Sequence, residues 1–124
     1  MATLGLDNLI AYQKAIRLAG NTIKLTRDSG LREHGWICDQ IRRAALSVPS
    51  NLAEGYERRS GKDTSRFYRI ALGSCAEIRA QLKVAIVAEL VQPSEVEASI
   101  QDATEVIRLI SGILRAREKP DTQT

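Results

Sequence analysis

The stretch Pro93-Ser-Glu-Val-Glu-Ala-Ser-Ile-Gln-Asp-Ala-Thr-Glu-Val-Ile-Arg-Leu-Ile-Ser-Gly-Ile-Leu114 decides the fold class. Its apolar residues recur at alternating steps of four and three, which is the spacing of one face of an α-helix. Pro93 suits the first turn of such a helix, and Glu95 and Glu97 suit its N-terminus. The pattern predicts these inward positions: Val96, Ile100, Ala103, Ile107, Ile110 and Leu114.

Three more helices are predicted upstream, over about 7–26, 36–57 and 62–91, and Asp7 is a plausible N-cap of the first. Short connections favour antiparallel neighbours, and aromatic residues are scarce, so we expect an all-α, up-down-up-down four-helix bundle. It forms a single domain over 1–118, followed by a polar, disordered tail at 119–124. The inward stripes predicted for the first two helices are Leu9, Tyr12, Ile16, Ala19 and Ile23, and then Ile37, Ile41, Ala44, Val48 and Leu52.

Pro49 lies inside the second helical pattern, where proline removes the bond to the carbonyl of Ala45 and typically costs ~3 kcal/mol. Either the helix kinks and continues, or it stops near Val48 and restarts at Pro49. The kink is favoured, because the apolar stripe and a row of polar residues both continue in register across the proline. The row consists of Gln40, Arg43, Ser47, Asn51 and Glu54.

The third helix has two opposite apolar sides, although four helices in a square surround none of their members. The second side would expose several hundred Å² of apolar surface on a monomer. We therefore expect a homo-oligomer over a monomer, with copies meeting through this small-residue side. Its residues are Gly73, Ala76, Ala80, Val84, Val87 and Val91.

Several classes of protein fit the sequence poorly. Cys38 and Cys75 fall inside apolar helical patterns, with no histidine spaced to complete a metal site, so they are interpreted as reduced core thiols. The N-terminus does not resemble a secretory signal, and no uncharged run approaches the ~18 residues of a membrane span. We expect a cytoplasmic, non-enzymatic protein without metal or cofactor.

Two blocks resemble a known family when they occur together: Gln40-Ile-Arg-Arg-Ala-Ala-Leu-Ser-Val-Pro-Ser-Asn-Leu-Ala-Glu-Gly55 and Arg66-Phe-Tyr-Arg-Ile-Ala-Leu-Gly-Ser-Cys-Ala-Glu77. They are similar to the bacterial 23S rRNA intervening-sequence proteins. The resemblance implies a left-handed antiparallel bundle assembled as a ring-shaped homopentamer. It also suggests a relation to accessory proteins of diversity-generating retroelements, which bind a reverse transcriptase and nucleic acid. Trp36 and Tyr12 depart from the usual family pattern.

The positions that match the family motif allow two interpretations. In the first, Glu54, Glu77 and Arg43 form a ligand or catalytic pocket between the second and third helices. In the second, which we favour, they form a structural polar network in which Arg43 neutralises Glu77 or Glu54 and Asn51 satisfies backbone freed by Pro49. Catalytic residues are assigned to none of them, because the sole histidine, His34, lies in a loop. The network as predicted contains Gln40, Arg43, Ser47, Asn51, Glu54, Ser74 and Glu77.

Positive charge is concentrated in the first two-thirds of the chain. Residues 1–83 carry 14 Lys and Arg against 8 Asp and Glu, whereas residues 84–124 carry 4 against 7. The turn after the second helix is the most basic segment, and Tyr56, Phe67 and Tyr68 lie near it. It is either an ordinary solvated turn, with arginines paired to Glu57 and Asp63, or a surface that binds RNA, DNA or a nucleic-acid enzyme. Its cations are Arg58, Arg59, Lys62, Arg66 and Arg69.

Overall fold

A computed structural model describes residues 5–6 and 9–118, and the helices in this part form a four-helix bundle with no strand. Asp7 and the predicted tail at 119–124 lie outside the described residues. The elements are α1 (Ile10–Asp28), a 3₁₀ turn (Gly30–Glu33), α2 (Gly35–Tyr56), α3 (Gly61–Val87) and α4 (Pro93–Glu118).

Each helix packs against two others. The most extensive contact joins α2 with α3, followed by α3 with α4, α1 with α2 and α1 with α4. Ser74 of α3 contacts Ser47 of α2, and Thr64 of α3 contacts Gly55 of α2. The later a residue comes in α2, the earlier is the residue of α3 that lies opposite it. This register determines which side chains of the two helices lie opposite each other in the α2–α3 groove.

The core stripe of α1 differs from the sequence-based prediction. Apart from Leu18, small residues fill its buried side, whereas Ile16 is 48% exposed and Tyr12 and Ile23 are only partly buried. Small side chains let the α1 backbone approach its neighbours closely, and this moves the larger apolar residues to the rim. The prediction that Ile16 points inward is wrong. The buried residues of α1 are Ala11, Ala15, Leu18, Ala19, Thr22 and Thr26.

The stripe of α4 is closer to its prediction, with Val96, Ala103, Ile110 and Leu114 buried. Ile100 and Ile107, which the pattern predicts to be inward, are only half-buried. The positions next to them, Ser99 and Val106, are buried instead. The helix begins at Pro93, as the sequence predicts.

The end of α3 comes four residues earlier than predicted. The Leu90 N–H donates to the carbonyl of Ala85 at 2.9 Å, and the Glu89 N–H donates to that of Ile86 at 3.0 Å. This pair of bonds is a Schellman motif, and Glu89 takes the left-handed conformation, with φ of 61°, that glycine usually occupies there. Because no glycine marks the stop, the sequence pattern runs past it. The chain then turns inward and buries Val91 in the core.

The second helix continues through Pro49, and the alternative in which it divides is wrong. Val48 and Pro49 are both buried, and the predicted inward stripe is confirmed at all five positions, Ile37, Ile41, Ala44, Val48 and Leu52. Apolar packing on both sides of the proline therefore holds one continuous helix in place.

Candidate functional site

Only part of the predicted polar network is linked by hydrogen bonds. Ser74 Oγ donates to Ser47 Oγ at 2.7 Å, which joins α3 to α2. Asn51 Nδ2 donates to Ser47 Oγ at 2.9 Å and to the Ser47 backbone carbonyl at 2.8 Å. Asn51 thus contacts the carbonyl of Ser47, whereas Pro49 frees that of Ala45. The three side chains form a small cluster at the middle of the α2–α3 groove.

The charged members of the predicted network are arranged differently. Glu54 pairs with Arg58 one turn later, with Arg58 Nη2 2.6 Å from Glu54 Oε2. Arg43, Gln40 and Glu77 are exposed, and within the described residues neither Arg43 nor Glu77 has an ion pair. The predicted neutralisation of Glu54 or Glu77 by Arg43 is absent from this part of the chain.

The α2–α3 register also separates the two carboxylates of the alternative pocket. Counting along both helices from the contact between Ser47 and Ser74, Glu54 of α2 lies opposite Phe67 of α3. In the other direction, Glu77 of α3 lies opposite Ala44 of α2. Ten residues of α3 separate those two positions, about 15 Å at 1.5 Å per residue. Glu54 and Glu77 therefore do not form the carboxylate pair that an acid–base site would need.

Gly55 allows α2 and α3 to approach closely at the end that carries the basic turn. A Cβ at this position would lie 2.8 Å from two ring carbons of Tyr68 and 3.0 Å from Cβ of Phe67. Thr64 Oγ1 also donates to the Gly55 carbonyl at 2.9 Å. Gly55 is thus a packing residue inside α2, and it holds the start of α3, with its cations, against the end of α2.

Three of the five predicted basic residues are paired with carboxylates. Arg58 pairs with Glu54, Arg66 Nη2 lies 3.1 Å from Asp63 Oδ1, and Arg69 pairs with Glu118 of α4. The predicted partner Asp63 is confirmed, whereas Arg58 contacts Glu54 instead of Glu57. Two exposed cations remain without an ion pair among the described residues: Arg59 and Lys62.

An aromatic ring organises this end of the bundle. The guanidinium carbons of Arg58 and Arg66 lie 4.6 Å and 4.5 Å from the centroid of the Phe67 ring. Such cation–π contacts hold the two guanidinium groups in place at a surface where their charges remain accessible. Phe67 is half-buried, so the two guanidinium groups pack on a ring that is itself held by the bundle.

Arg117 of α4 also belongs to this end, and the sequence-based prediction missed it. Its Nε donates to Ser65 Oγ at 3.2 Å, its Nη2 donates to the Gly61 carbonyl at 3.1 Å, and its guanidinium lies 5.9 Å from the Tyr68 ring. Arg117 lies 48 residues beyond Arg69 in the sequence, so only α3–α4 packing brings it here. The resulting group, here called the basic end, contains Arg58, Arg59, Lys62, Arg66, Arg69 and Arg117.

The outer side of α3 remains open in the single chain. Val84 is 55% exposed and Val87 is 85% exposed, and Gly73 and Ala80 are exposed with them. Val91 does not belong to this surface, because α3 ends at Val87 and the following turn buries Val91 in the core. The α3 face is therefore redefined as Gly73, Ala76, Ala80, Val84 and Val87.

Both cysteines are buried free thiols, as predicted. Cys38 Sγ donates to the Leu31 carbonyl at 3.0 Å, and Cys75 Sγ donates to that of Ala103 at 3.3 Å. Burial raises the pKa of both thiols, that of Cys75 to about 12. These groups are poor nucleophiles, because the reactive form is the thiolate.

Two classes of feature are absent from residues 5–6 and 9–118. No three His, Cys, Asp or Glu side chains are grouped so that they could hold a metal ion. Within the same residues, none of the helices combines the length and the apolar character that crossing a membrane requires.

One comparison with known proteins shows the family of this chain, and a second shows its fold. A family model described as 23S rRNA-intervening sequence protein matches residues 7–112. A crystal structure from Bacteroides thetaiotaomicron, described as a protein with unknown function from the S23 ribosomal protein family, superimposes with a TM-score of 0.77. It is 23% identical and covers 86% of this chain and 99% of its own, which shows a shared fold. No curated protein matches the chain.

Proposed function

The chain belongs to the 23S rRNA-intervening sequence protein family, and from that premise we propose that it is a non-enzymatic scaffold that self-associates and binds nucleic acid. The observation that carries the proposal is the basic end, where Arg58 and Arg66 contact the Phe67 ring, Arg117 lies beside the buried Tyr68, and Arg59, Lys62 and Arg69 add further exposed cations. Nucleic-acid surfaces combine these two features, because cations contact phosphates and aromatic groups support stacking.

The ion pairs at the basic end are compatible with phosphate binding. Exposed pairs such as Arg58 with Glu54 and Arg66 with Asp63 contribute only about 0.2–1 kcal/mol each. When a phosphate displaces one of these carboxylates, the protein therefore loses little free energy of stabilisation. Arg59 and Lys62 have no carboxylate to displace, so they are the first residues that we assign to phosphate contacts.

Self-association rests on the α3 face. Val84 and Val87 expose more than half of their surface on a helix that already buries its opposite side in the core. Stable protein interfaces favour such apolar centres with polar rims. Association would place several basic ends in one particle and so multiply weak phosphate contacts.

The finer architecture belongs to the same proposal. We take the bundle to be up-down-up-down, antiparallel and left-handed, and the assembly to be a ring-shaped homopentamer in the cytoplasm. The opposite residue order along α2 and α3 supports the antiparallel arrangement. A nucleic-acid-handling enzyme as partner is the alternative to direct binding of RNA or DNA.

Salt-dependent binding tests the nucleic-acid part of the proposal. Fluorescence anisotropy with labelled single-stranded RNA and DNA, from about 50 to 200 mM salt, compares the wild type with the double variant Arg59→Ala, Lys62→Ala. The slope of log K against log salt is negative, and each lost phosphate contact reduces its magnitude by about 0.7 for single strands. The slope of the double variant should therefore be smaller in magnitude than that of the wild type by about 1.4.

The matched control is Arg32→Ala, Arg108→Ala, which removes two exposed cations that do not belong to the basic end. It should bind like the wild type. An equal loss in both double variants would mean that only net charge matters, and no binding by the wild type would reject direct nucleic-acid recognition in favour of a protein partner.

A further inference from the structure

We infer that a small cavity between α1 and α4 binds a zwitterion, a molecule with one ammonium and one carboxylate group, such as a small amino acid. The cavity shares no residue with the basic end or with the α3 face, so the inference depends neither on nucleic-acid binding nor on self-association. It rests on two opposite charges that line the cavity from different helices, Arg17 of α1 and Asp102 of α4.

Two contacts determine how α1 and α4 lie against each other. Lys14 Nζ of α1 lies 3.2 Å from Glu105 Oε2 of α4. Just after the end of α1, the Gly30 N–H donates to Glu95 Oε1, near the start of α4, at 3.2 Å. The later a residue comes in α1, the earlier is therefore the residue of α4 that lies opposite it.

Arg17 and Asp102 lie opposite each other in this register but do not form an ion pair. Arg17 comes three residues after Lys14 in α1, and Asp102 comes three residues before Glu105 in α4. Lys14 and Glu105 pair directly, whereas in the described part of the chain neither Arg17 nor Asp102 has an ion pair. A cavity of about 80 Å³ lies between the two helices here, and both of these charged side chains line it.

The cavity combines an apolar floor with charged walls. Leu18 and Val106 are each 1% exposed, so they close the cavity on the side of the core. Arg17 is exposed and Asp102 is half-buried, so a ligand can reach both charges from solvent. The lining residues are Lys14, Arg17, Leu18, Asp102, Glu105 and Val106.

The charges of the walls select the class of ligand. The Arg17 guanidinium has parallel N–H donors that fit a carboxylate, and the Asp102 carboxylate accepts hydrogen bonds from an ammonium group. Because Lys14 and Glu105 already neutralise each other, a simple anion would leave Asp102 without a partner. A simple cation would leave Arg17 without one, whereas a zwitterion satisfies both residues.

The volume of the cavity limits the size of the ligand. A water molecule takes up about 30 Å³ of the liquid, so the cavity has room for about two to three waters. This space fits a ligand of a few heavy atoms, such as glycine. Once bound, the ligand would bridge α1 and α4, whose mutual contact is the least extensive of the four helix–helix contacts described above.

Titration with glycine, followed by NMR of the backbone amides near pH 7, tests the site. In the wild type, glycine should cause saturable shifts that are largest at residues 14–18 and 102–106. Arg17→Gln and Asp102→Asn should each weaken glycine binding by about ten- to hundredfold, because each removes a charge-assisted hydrogen bond.

Matched variants remove the same charges elsewhere. Arg32→Gln and Asp39→Asn change exposed residues that do not line the cavity, and both should bind glycine like the wild type. Circular dichroism checks that each variant folds. If Asp102→Asn does not fold, Arg17→Gln still tests the site, because Arg17 is exposed.

Three other small molecules separate the zwitterion from its parts. Acetate carries only the carboxylate, and methylammonium carries only the ammonium group. Trimethylglycine carries both charges but has no N–H to donate to Asp102, so it also reports general effects of a zwitterionic solute. All three should bind more weakly than glycine.

Several results would overturn the inference. A wild type without saturable shifts would mean that the cavity holds only water. Acetate or methylammonium that binds as tightly as glycine would mean a site for a simple ion, and trimethylglycine that binds as tightly would remove the role of Asp102. Glycine binding that is unchanged in a folded Arg17→Gln or Asp102→Asn variant would also contradict the assignment.

Discussion

Replacing Gly55 by alanine tests the close approach that holds the basic end together. The added Cβ would lie 2.8 Å from Cδ1 and Cε1 of Tyr68, well inside the ~3.5–4.0 Å at which carbon atoms attract each other most. Tyr68 is only 5% exposed, so its ring has little room to move away. Overpacking of this kind costs about 1–3 kcal/mol.

An opposing effect must be measured separately. Alanine is favoured over glycine inside a helix by about 0.8–1.0 kcal/mol. Gly20→Ala supplies this gain without a clash, because beyond the adjoining residues and the local helix backbone no atom lies within 4 Å of a Cβ added at that position. We therefore expect Gly20→Ala to stabilise the protein and Gly55→Ala to destabilise it. The difference between the two variants in free energy of unfolding isolates the clash.

The assay is urea unfolding followed by circular dichroism, at several protein concentrations so that association is separated from folding. A double-mutant cycle with Tyr68→Leu adds a specific check, because without the ring Gly55→Ala should cost less. Equal stability of Gly55→Ala and Gly20→Ala, or purely additive effects in the cycle, would refute the packing role of Gly55.

Two further predictions concern the end of α3 and the buried thiols. Glu89→Gly should stabilise the protein by about 0.5–1 kcal/mol in the same assay, because glycine adopts the observed φ of 61° without strain, whereas Ala88→Gly, at φ of −77°, should destabilise it; the opposite order would contradict the Schellman assignment. The free energy of unfolding should fall as the pH rises from 9 towards 12, because the folded state keeps Cys75 protonated while the unfolded thiol, with its ordinary pKa of 9.0, ionises. Cys75→Ala should make this fall shallower, by up to about 1.4 kcal/mol per pH unit. If the variant had the same alkaline stability profile as the wild type, the assignment of the fall to Cys75 would be wrong.

The candidate site illustrates how far local sequence carries. Spacing placed Ser47 and Asn51 on one side of α2, the family resemblance added Ser74, and the structure joins the three by hydrogen bonds. The resemblance also grouped Arg43 with Glu54 and Glu77, but an ion pair depends on distances of a few ångströms across a groove. Helical periodicity determines the direction in which a side chain points, but it does not determine which residue that side chain contacts.

The sequence by itself determined the helical class, the continuous stripe of α2 and the start of α4, because these depend on periodicity and on proline within a single segment. Only the tertiary structure decided which side of α1 is buried, since that choice depends on how closely its neighbours approach. It also brought Arg117 to the basic end and removed Val91 from the α3 face. Both outcomes follow from contacts between segments distant in the chain, which no local pattern contains.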